Sequence, residues 1–300
     1  MHSHSITPTH SSPPQLRLGP AVNGSGLNQL HGAASTSTWG GSVLRGDDGT
    51  YHMWASEITK KCGIHRWISN SIVVHAVSKG PPDWVFERKE AVFPLFSHEP
   101  IAARAPTGEY VLYITHYDGD GSDSPTCNCT NGNSYSGEAG CAGEAGGAKD
   151  KAWAYSYMSY AKDPNGPWSP LQSLASVQGK DFNSTDLNLA PVIRADGSAA
   201  FWTRWDIWEA GDWRNVSTYK DTGQAPDFGN GAPWEGEDPS MWIDAKGHYH
   251  SLSHNGARGQ LGLSGDCGRH MFSTTGKANT WNVAPLPKGG RGGRRVCVVR

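Results

Sequence analysis

Charge is scarce in this chain, and neither sign dominates. Lys and Arg number 26 against 28 Asp and Glu in 300 residues, for a net charge of -2. With no basic stripe and no acidic block, nothing recommends a nucleic-acid partner, and the brief RGG-like run in KGGRGGRRVCVVR does not change that. No apolar run is long enough to span a membrane. The opening MHSHSITPTHSSPPQLRLGP lacks the apolar core of a signal peptide. Also missing are an Asp-rich calcium loop and the Cys/His spacing of a zinc site, so no metal or other cofactor is expected.

What is present is aromatic, turn-rich and repetitive. The chain has 13 Trp and 10 Tyr against 7 Phe, with 38 Gly and 19 Pro. Indole and phenol rings combine an apolar face with a polar edge, which suits blade interiors and sugar-binding clefts alike. Most of them are expected in the core. Cysteines stand at 62, 127, 129, 141, 267 and 297. Three of them fall in one loop without apolar periodicity, which reads as disulfide-stapled in an oxidising compartment. Asn23, Asn128, Asn183 and Asn215 head N-x-S/T sequons, in keeping with a secreted glycoprotein. Secretion then requires a signal peptide upstream of this chain, and a truncated beginning is expected.

Four segments share one pattern: an apolar run, a Gly turn, then an aromatic-rich run. They are GSVLRGDDGTYHMWASE (41–57), EPIAARAPTGEYVLYITH (99–116), LAPVIRADGSAAFWTRWD (189–206) and DPSMWIDAKGHYHSLSHN (238–255). Repeats of this length imply an all-β fold, a β-propeller. Strands are predicted near 41–46, 50–57, 72–78 and 84–92 in blade 1, and near 99–105, 109–116, 154–162 and 168–174 in blade 2. Blade 3 is given strands at 189–195, 198–205 and 215–220 with a poorly defined outer strand. Blade 4 is given 239–243, 247–254, 269–274 and 280–284. The domain is bounded at 36–285, with a Cys/Gly-rich insertion at 118–150, a flexible segment at 1–35 and an irregular tail at 286–300. Four blades are visible, and a truncated five-bladed propeller is expected.

In such a fold, first-strand starts and second-strand ends converge on one mouth. The starts supply Trp39, His98, Glu99, Asp186, Asn188, Glu237 and Asp238. The ends supply Glu57, His116, Asp118, Arg204, Asp206, His254 and Asn255. Several carboxyl groups around one pocket are what glycosidic cleavage needs, one as proton donor and one as base or nucleophile. Each acid taken singly is also a good strand cap.

The motifs H-E-P (98–100), L-A-P-V-I (189–193) and E-D-P-S-M-W-I-D (237–244) resemble the five-bladed propeller glycosidases. That superfamily comprises glycoside hydrolase family 43, with its arabinanases and xylosidases, and the related invertases and levansucrases. W-G-G-S, M-W-A-S-E and C-G-I-H-R-W-I-S-N-S resemble an uncharacterised family-43-like branch. The resemblance implies inverting hydrolysis of an arabinan, xylan or fructan type of chain by a monomer. It implies Glu237 as the proton donor, with Asp238 beside it and Asp186, or Asn188 in its place, as an orienting group. Blade 1 reads T-W-G-G-S where the family carries its aspartate base, so the base is expected from Glu99, from Glu57 or from a blade that this chain lacks. Carbohydrate contacts are expected from His98, Trp39, Trp54, His116, Arg204, Trp205 and His254. Calcium near the axis is known in the family but is not predicted here. The alternatives are a glycan-binding propeller without a working base, and a scaffold for protein partners.

Overall fold

The computed structural model describes residues 37–60, 62, 66–81, 85–94, 96–117, 154–174, 188–203, 206–224, 238–254 and 268–283. The segments at 1–35 and 286–300, the insertion at 118–150, and Asp118, Asp186, Arg204, Trp205, Glu237 and Asn255 lie outside the described residues. Among the described residues no helix is long and apolar enough to cross a membrane.

Alternating apolar runs and Gly turns fold into four antiparallel sheets of four strands each. Blade 1 holds β1 (Ser37–Arg45), β2 (Tyr51–Ile58), β3 (Ser71–Ser78) and β4 (Glu87–Phe93), with one helical turn, α1 (Trp67–Asn70). Blade 2 holds β5 (Ser97–Arg104), β6 (Tyr110–Tyr117), β7 (Ala154–Ala161) and β8 (Gln172–Ser173). Blade 3 holds β9 (Ala190–Ile193), β10 (Ala199–Trp202), β11 (Ile207–Ala210) and β12 (Tyr219–Asp221). Blade 4 holds β13 (Ser240–Ile243), β14 (Tyr249–His254), β15 (Gly268–Ser273) and β16 (Asn282–Val283). The first strands stand side by side in the order β1, β5, β9, β13, so the sheets follow one another around a common centre as propeller blades.

Each first hairpin closes in the same way. Gly49, Gly108, Gly197 and Gly247 take φ of 86°, 95°, 84° and 83°, and each donates its N–H to the carbonyl three residues earlier. In three of the turns an aspartate braces the backbone: Asp48 Oδ1 accepts from Thr50 N, Asp196 Oδ1 from Ser198 N, and Asp244 Oδ1 from Lys246 N and His248 N. Left-handed glycine after a turn is the chemistry of a three-residue hairpin loop.

Apolar faces are buried between consecutive blades. Trp54, Val73 and Phe93 of blade 1 meet Tyr110, Leu112 and Tyr157 of blade 2. Tyr113 and Met158 of blade 2 meet Phe201, Trp208 and Tyr219 of blade 3, where Tyr113 Oη lies 2.8 Å from Tyr219 Oη. Trp202 and Ile207 of blade 3 meet Met271 of blade 4, and Trp281 packs edge-on against Trp202. Polar pins cross each interface as well: Arg104 to Asp47, Arg214 to Glu109, and Arg194 Nε to Tyr249 Oη.

Blade 3 differs from the sequence expectation. Its third strand is β11 (Ile207–Ala210), and the segment near 215–220 supplies the outer strand β12 instead. Thr203 and Asp206 bond each other through backbone and hydroxyl, which ends β10 at Trp202 and turns the chain at once. The run WTRWDIWEA hides this turn because it contains neither Gly nor Pro. Asn215, a sequon residue, caps the short 3₁₀ turn Val216–Thr218 by accepting from Ser217 N.

Blade 1 also carries a buried histidine chain. His75 Nδ1 lies 2.8 Å from Glu90 Oε1, and His52 Nδ1 lies 3.0 Å from His75 Nε2. A carboxylate only accepts, so His75 donates from Nδ1 and its Nε2 accepts from His52. Burial, chiefly, holds both imidazoles below the usual histidine range. The unfolded chain therefore binds more protons than the folded one below pH ~6.5, and stability falls as pH drops through that value towards the folded pKa values. We expect urea midpoints that are level at pH 7–8 and decline from pH ~6.5 downward, with a shallower decline in His52→Phe. A midpoint flat to pH 5 would contradict this.

Candidate functional site at the blade axis

One backbone conformation recurs where the first strand of each blade begins. Gly40, Glu99, Asn188 and Asp238 take φ of 55°, 47°, 46° and 50°, in blades 1 to 4 respectively. Glycine adopts this region freely, but three side-chain-bearing residues do not, and such strain persists only where the surroundings over-determine it. In β1 and β5 the residue sits at a break in the ladder, between Trp39 and Gly41 and between His98 and Ile101. These residues lie within or beside the strands rather than in preceding loops.

Glu99 is the meeting point. Its Oε1 accepts from Trp39 Nε1 of blade 1 at 2.9 Å, and its Oε2 accepts from Asn188 Nδ2 of blade 3. Its backbone N–H donates to Ser56 Oγ of β2 at 2.7 Å. Three blades thus converge on one nearly buried carboxylate. A Cβ on Gly40 would stand 3.3 Å from Glu99 Cγ, so the bare position in blade 1 leaves the space that the Glu99 side chain fills. Asp238, at the matching place in blade 4, is buried.

The remaining candidates divide by burial. Trp39 is 37% exposed while its Nε1 holds Glu99, so part of this residue remains open to solvent beside the acid. His98, expected to contact carbohydrate, is buried behind Glu99 instead; its Nδ1 lies 2.8 Å from Ser71 Oγ, its Nε2 lies 3.7 Å from Glu99 Oε1, and the Trp67 ring lies against it at 4.9 Å. His116 is half-buried, 3.1 Å from Ser97 Oγ and edge-on to Tyr157. Glu57 forms a 2.9 Å ion pair with Arg88. His254 ends β14 opposite Gly268.

Trp54 requires a correction. It is fully buried between blades 1 and 2, tilted over Tyr110 and edge-on to Trp168, so it is a core residue and not a sugar platform.

Asp206 occupies the turn after Trp202, at the same end of blade 3 as Asn188, because Trp202 pairs with Ala190. Burial and the nearby Asp221 raise its carboxyl above the ordinary range, as suits a proton donor. Ser56, Trp67 and Ser71 also reach the site, although the repeat pattern singles out none of them. Ser56 lies within β2, Trp67 in α1 and Ser71 at the start of β3, in the segments M-W-A-S-E and C-G-I-H-R-W-I-S-N-S. Among the described residues no group of three His, Cys, Asp or Glu could hold a metal ion.

No known family profile and no curated protein matches the sequence. Solved structures do match the fold. A family 117 glycoside hydrolase of the marine bacterium Zobellia galactanivorans aligns with a TM-score of 0.52 at 12% identity, over 85% of this chain and 71% of that one. A GH43 protein of Bacillus licheniformis aligns with a TM-score of 0.51 at 12% identity, over 84% of this chain and 42% of that one. An exo-beta-1,3-galactanase of Phanerochaete chrysosporium, solved with beta-1,3-galactotriose, gives 0.50 at 12% identity over 83% and 50%. The chain thus spans half or less of the latter two. The likeness is one of fold: this chain is a β-propeller of the architecture these glycoside hydrolases have.

Proposed function

We propose that this β-propeller is a glycoside hydrolase that cleaves a polysaccharide or oligosaccharide by carboxylate general acid/base chemistry. The carrying observation is Glu99, a carboxylate gripped from blades 1 and 3 beside the part-exposed Trp39. Glu99 takes the place of the base that blade 1 lacks at Gly40. It accepts a proton from water as the water oxygen bonds the anomeric carbon, while Glu237 protonates the departing glycosidic oxygen. Asp238 and Asp186 orient or tune the donor. Trp39, His116, Arg204, Trp205 and His254 bind sugar, with indole faces stacking on the rings.

The arabinan, xylan and fructan chains implied by the sequence motifs are joined by β-1,3-galactan, because a propeller of similar fold holds galactotriose. We further infer a secreted monomer with disulfides and N-linked glycans, acting on carbohydrate alone. A second reading, glycan binding without turnover, is favoured by one observation: Gly40 offers no side chain where a blade-1 base would stand.

Reducing-sugar release from β-1,3-galactan, arabinan, xylan and levan, run beside glycan-array binding, separates the two. We expect release from at least one polymer. Binding without release would establish the second reading, and neither would overturn both.

A further inference from the structure

We propose that His98 is a positioning residue for Glu99, held at Nδ1 by Ser71 and clamped by Trp67. The proposal rests on the hydrolase reading for its kinetic arm only. The side chain of His98 is 5% exposed and that of Glu99 8%, with His98 Nε2 3.7 Å from Glu99 Oε1. A lone pair on Nε2 would face carboxylate oxygen, which is repulsive; a proton there meets it favourably. With the proton on Nε2, Nδ1 is left as an acceptor, and Ser71 Oγ stands 2.8 Å away to donate to it. The Glu99 carboxylate, which only accepts, thus biases the proton to Nε2, and the Ser71 hydroxyl, free to donate, holds the ring at Nδ1.

Local structure explains why both partners are present. The single helical turn α1 keeps Trp67 and Ser71 close, because the N–H of Ser71, at its C-cap, bonds the Trp67 carbonyl. Ser71 opens β3, which packs beside β5 and therefore beside His98. The Trp67 ring lies at 4.9 Å and 30° to the imidazole, which limits its rotation. Glu99 itself sits in the left-handed region at a break in the β5–β6 ladder, a conformation that its surroundings must hold in place. Trp39, Asn188 and His98 then address its carboxylate from three directions. Loss of one of them frees the carboxylate to rotate away from the reacting water.

Two arms test this. In ring-nitrogen NMR spectra of the wild-type protein at pH 7, His98 should show the tautomer protonated on Nε2, the nitrogen facing Glu99. In kinetics on whichever polymer is cleaved, His98→Leu should lower kcat by about 10²-fold, the loss expected for a misplaced catalytic group. KM should stay within about twofold, since no binding contact is removed. His98→Gln restores an N–H donor near the Nε2 position and should recover most of the loss at an equal melting temperature. His98 protonated on Nδ1 alone, or Gln performing no better than Leu in a folded protein, would overturn the proposal. If the wild-type protein cleaves nothing, the hydrolase reading fails, and the imidazole spectra alone judge the role of His98.

Discussion

Glu99→Gln should reduce sugar release by about 10²- to 10⁴-fold, the range that positioned acid–base groups contribute, with little change in melting temperature. The substitution keeps the side-chain shape and the carbonyl that accepts from Trp39 Nε1. What it removes is the ability to take a proton from water. Its new amide N–H₂ would meet Asn188 Nδ2, also a donor, so the Asn188 amide must flip and accept to restore the bond, since a flip of Gln would oppose Trp39 Nε1. That local rearrangement is minor compared with the loss of a base. If the protein only binds glycans, Glu99→Gln should leave affinity within a few-fold of wild type, because neutral amides also bond sugar hydroxyls. Unaltered sugar release by a folded Glu99→Gln variant would remove Glu99 from the chemistry, and attention would pass to Asp238, which shares its backbone conformation in blade 4.

The parts of this molecule legible in its sequence are those that local chemistry fixes. Asp48-Gly49, Asp196-Gly197 and Lys246-Gly247 mark hairpin turns because left-handed glycine and a bracing aspartate act within five residues. The strands around them follow from alternation, and the four-fold repetition then implies the propeller. Features set by distant residues are harder to read. The recurrence of left-handed backbone at Gly40, Glu99, Asn188 and Asp238 is invisible in four dissimilar residue types. Only the folded structure brings Trp39 and Asn188, 60 and 89 positions away, onto one carboxylate. The missing blade-1 aspartate is evident in T-W-G-G-S. That Glu99 fills the adjoining space is evident only from the 3.3 Å approach to Gly40.

Trp39 and Trp54 show the same division in one blade, and Trp54→Ala gives the largest expected effect on stability. Both residues lie on the β1–β2 hairpin, Trp39 opposite Ser56 and Trp54 opposite Ser42. Alternation assigns faces to them but does not say which face the next blade will cover. Blade 2 covers that of Trp54, whose ring meets His75 at 5.3 Å, Tyr110 at 5.9 Å and Trp168 at 5.8 Å. Truncation there leaves a cavity at the interface between two blades, and a large-to-small change at a buried Trp costs about 3–5 kcal/mol. For a domain of this size each kcal/mol lowers the melting temperature by roughly 2–4 °C, so a fall on the order of 10 °C is expected. Molecules that remain folded should keep the KM of wild type, because no sugar reaches Trp54. Trp39→Ala should do the reverse, raising KM and lowering kcat with little thermal cost, since it removes the ring of a part-exposed residue and one bond to Glu99. Matched calorimetry and kinetics on the pair decide between core and cleft: a Trp54→Ala protein that melts like wild type but binds glycan weakly would place that indole at the mouth after all.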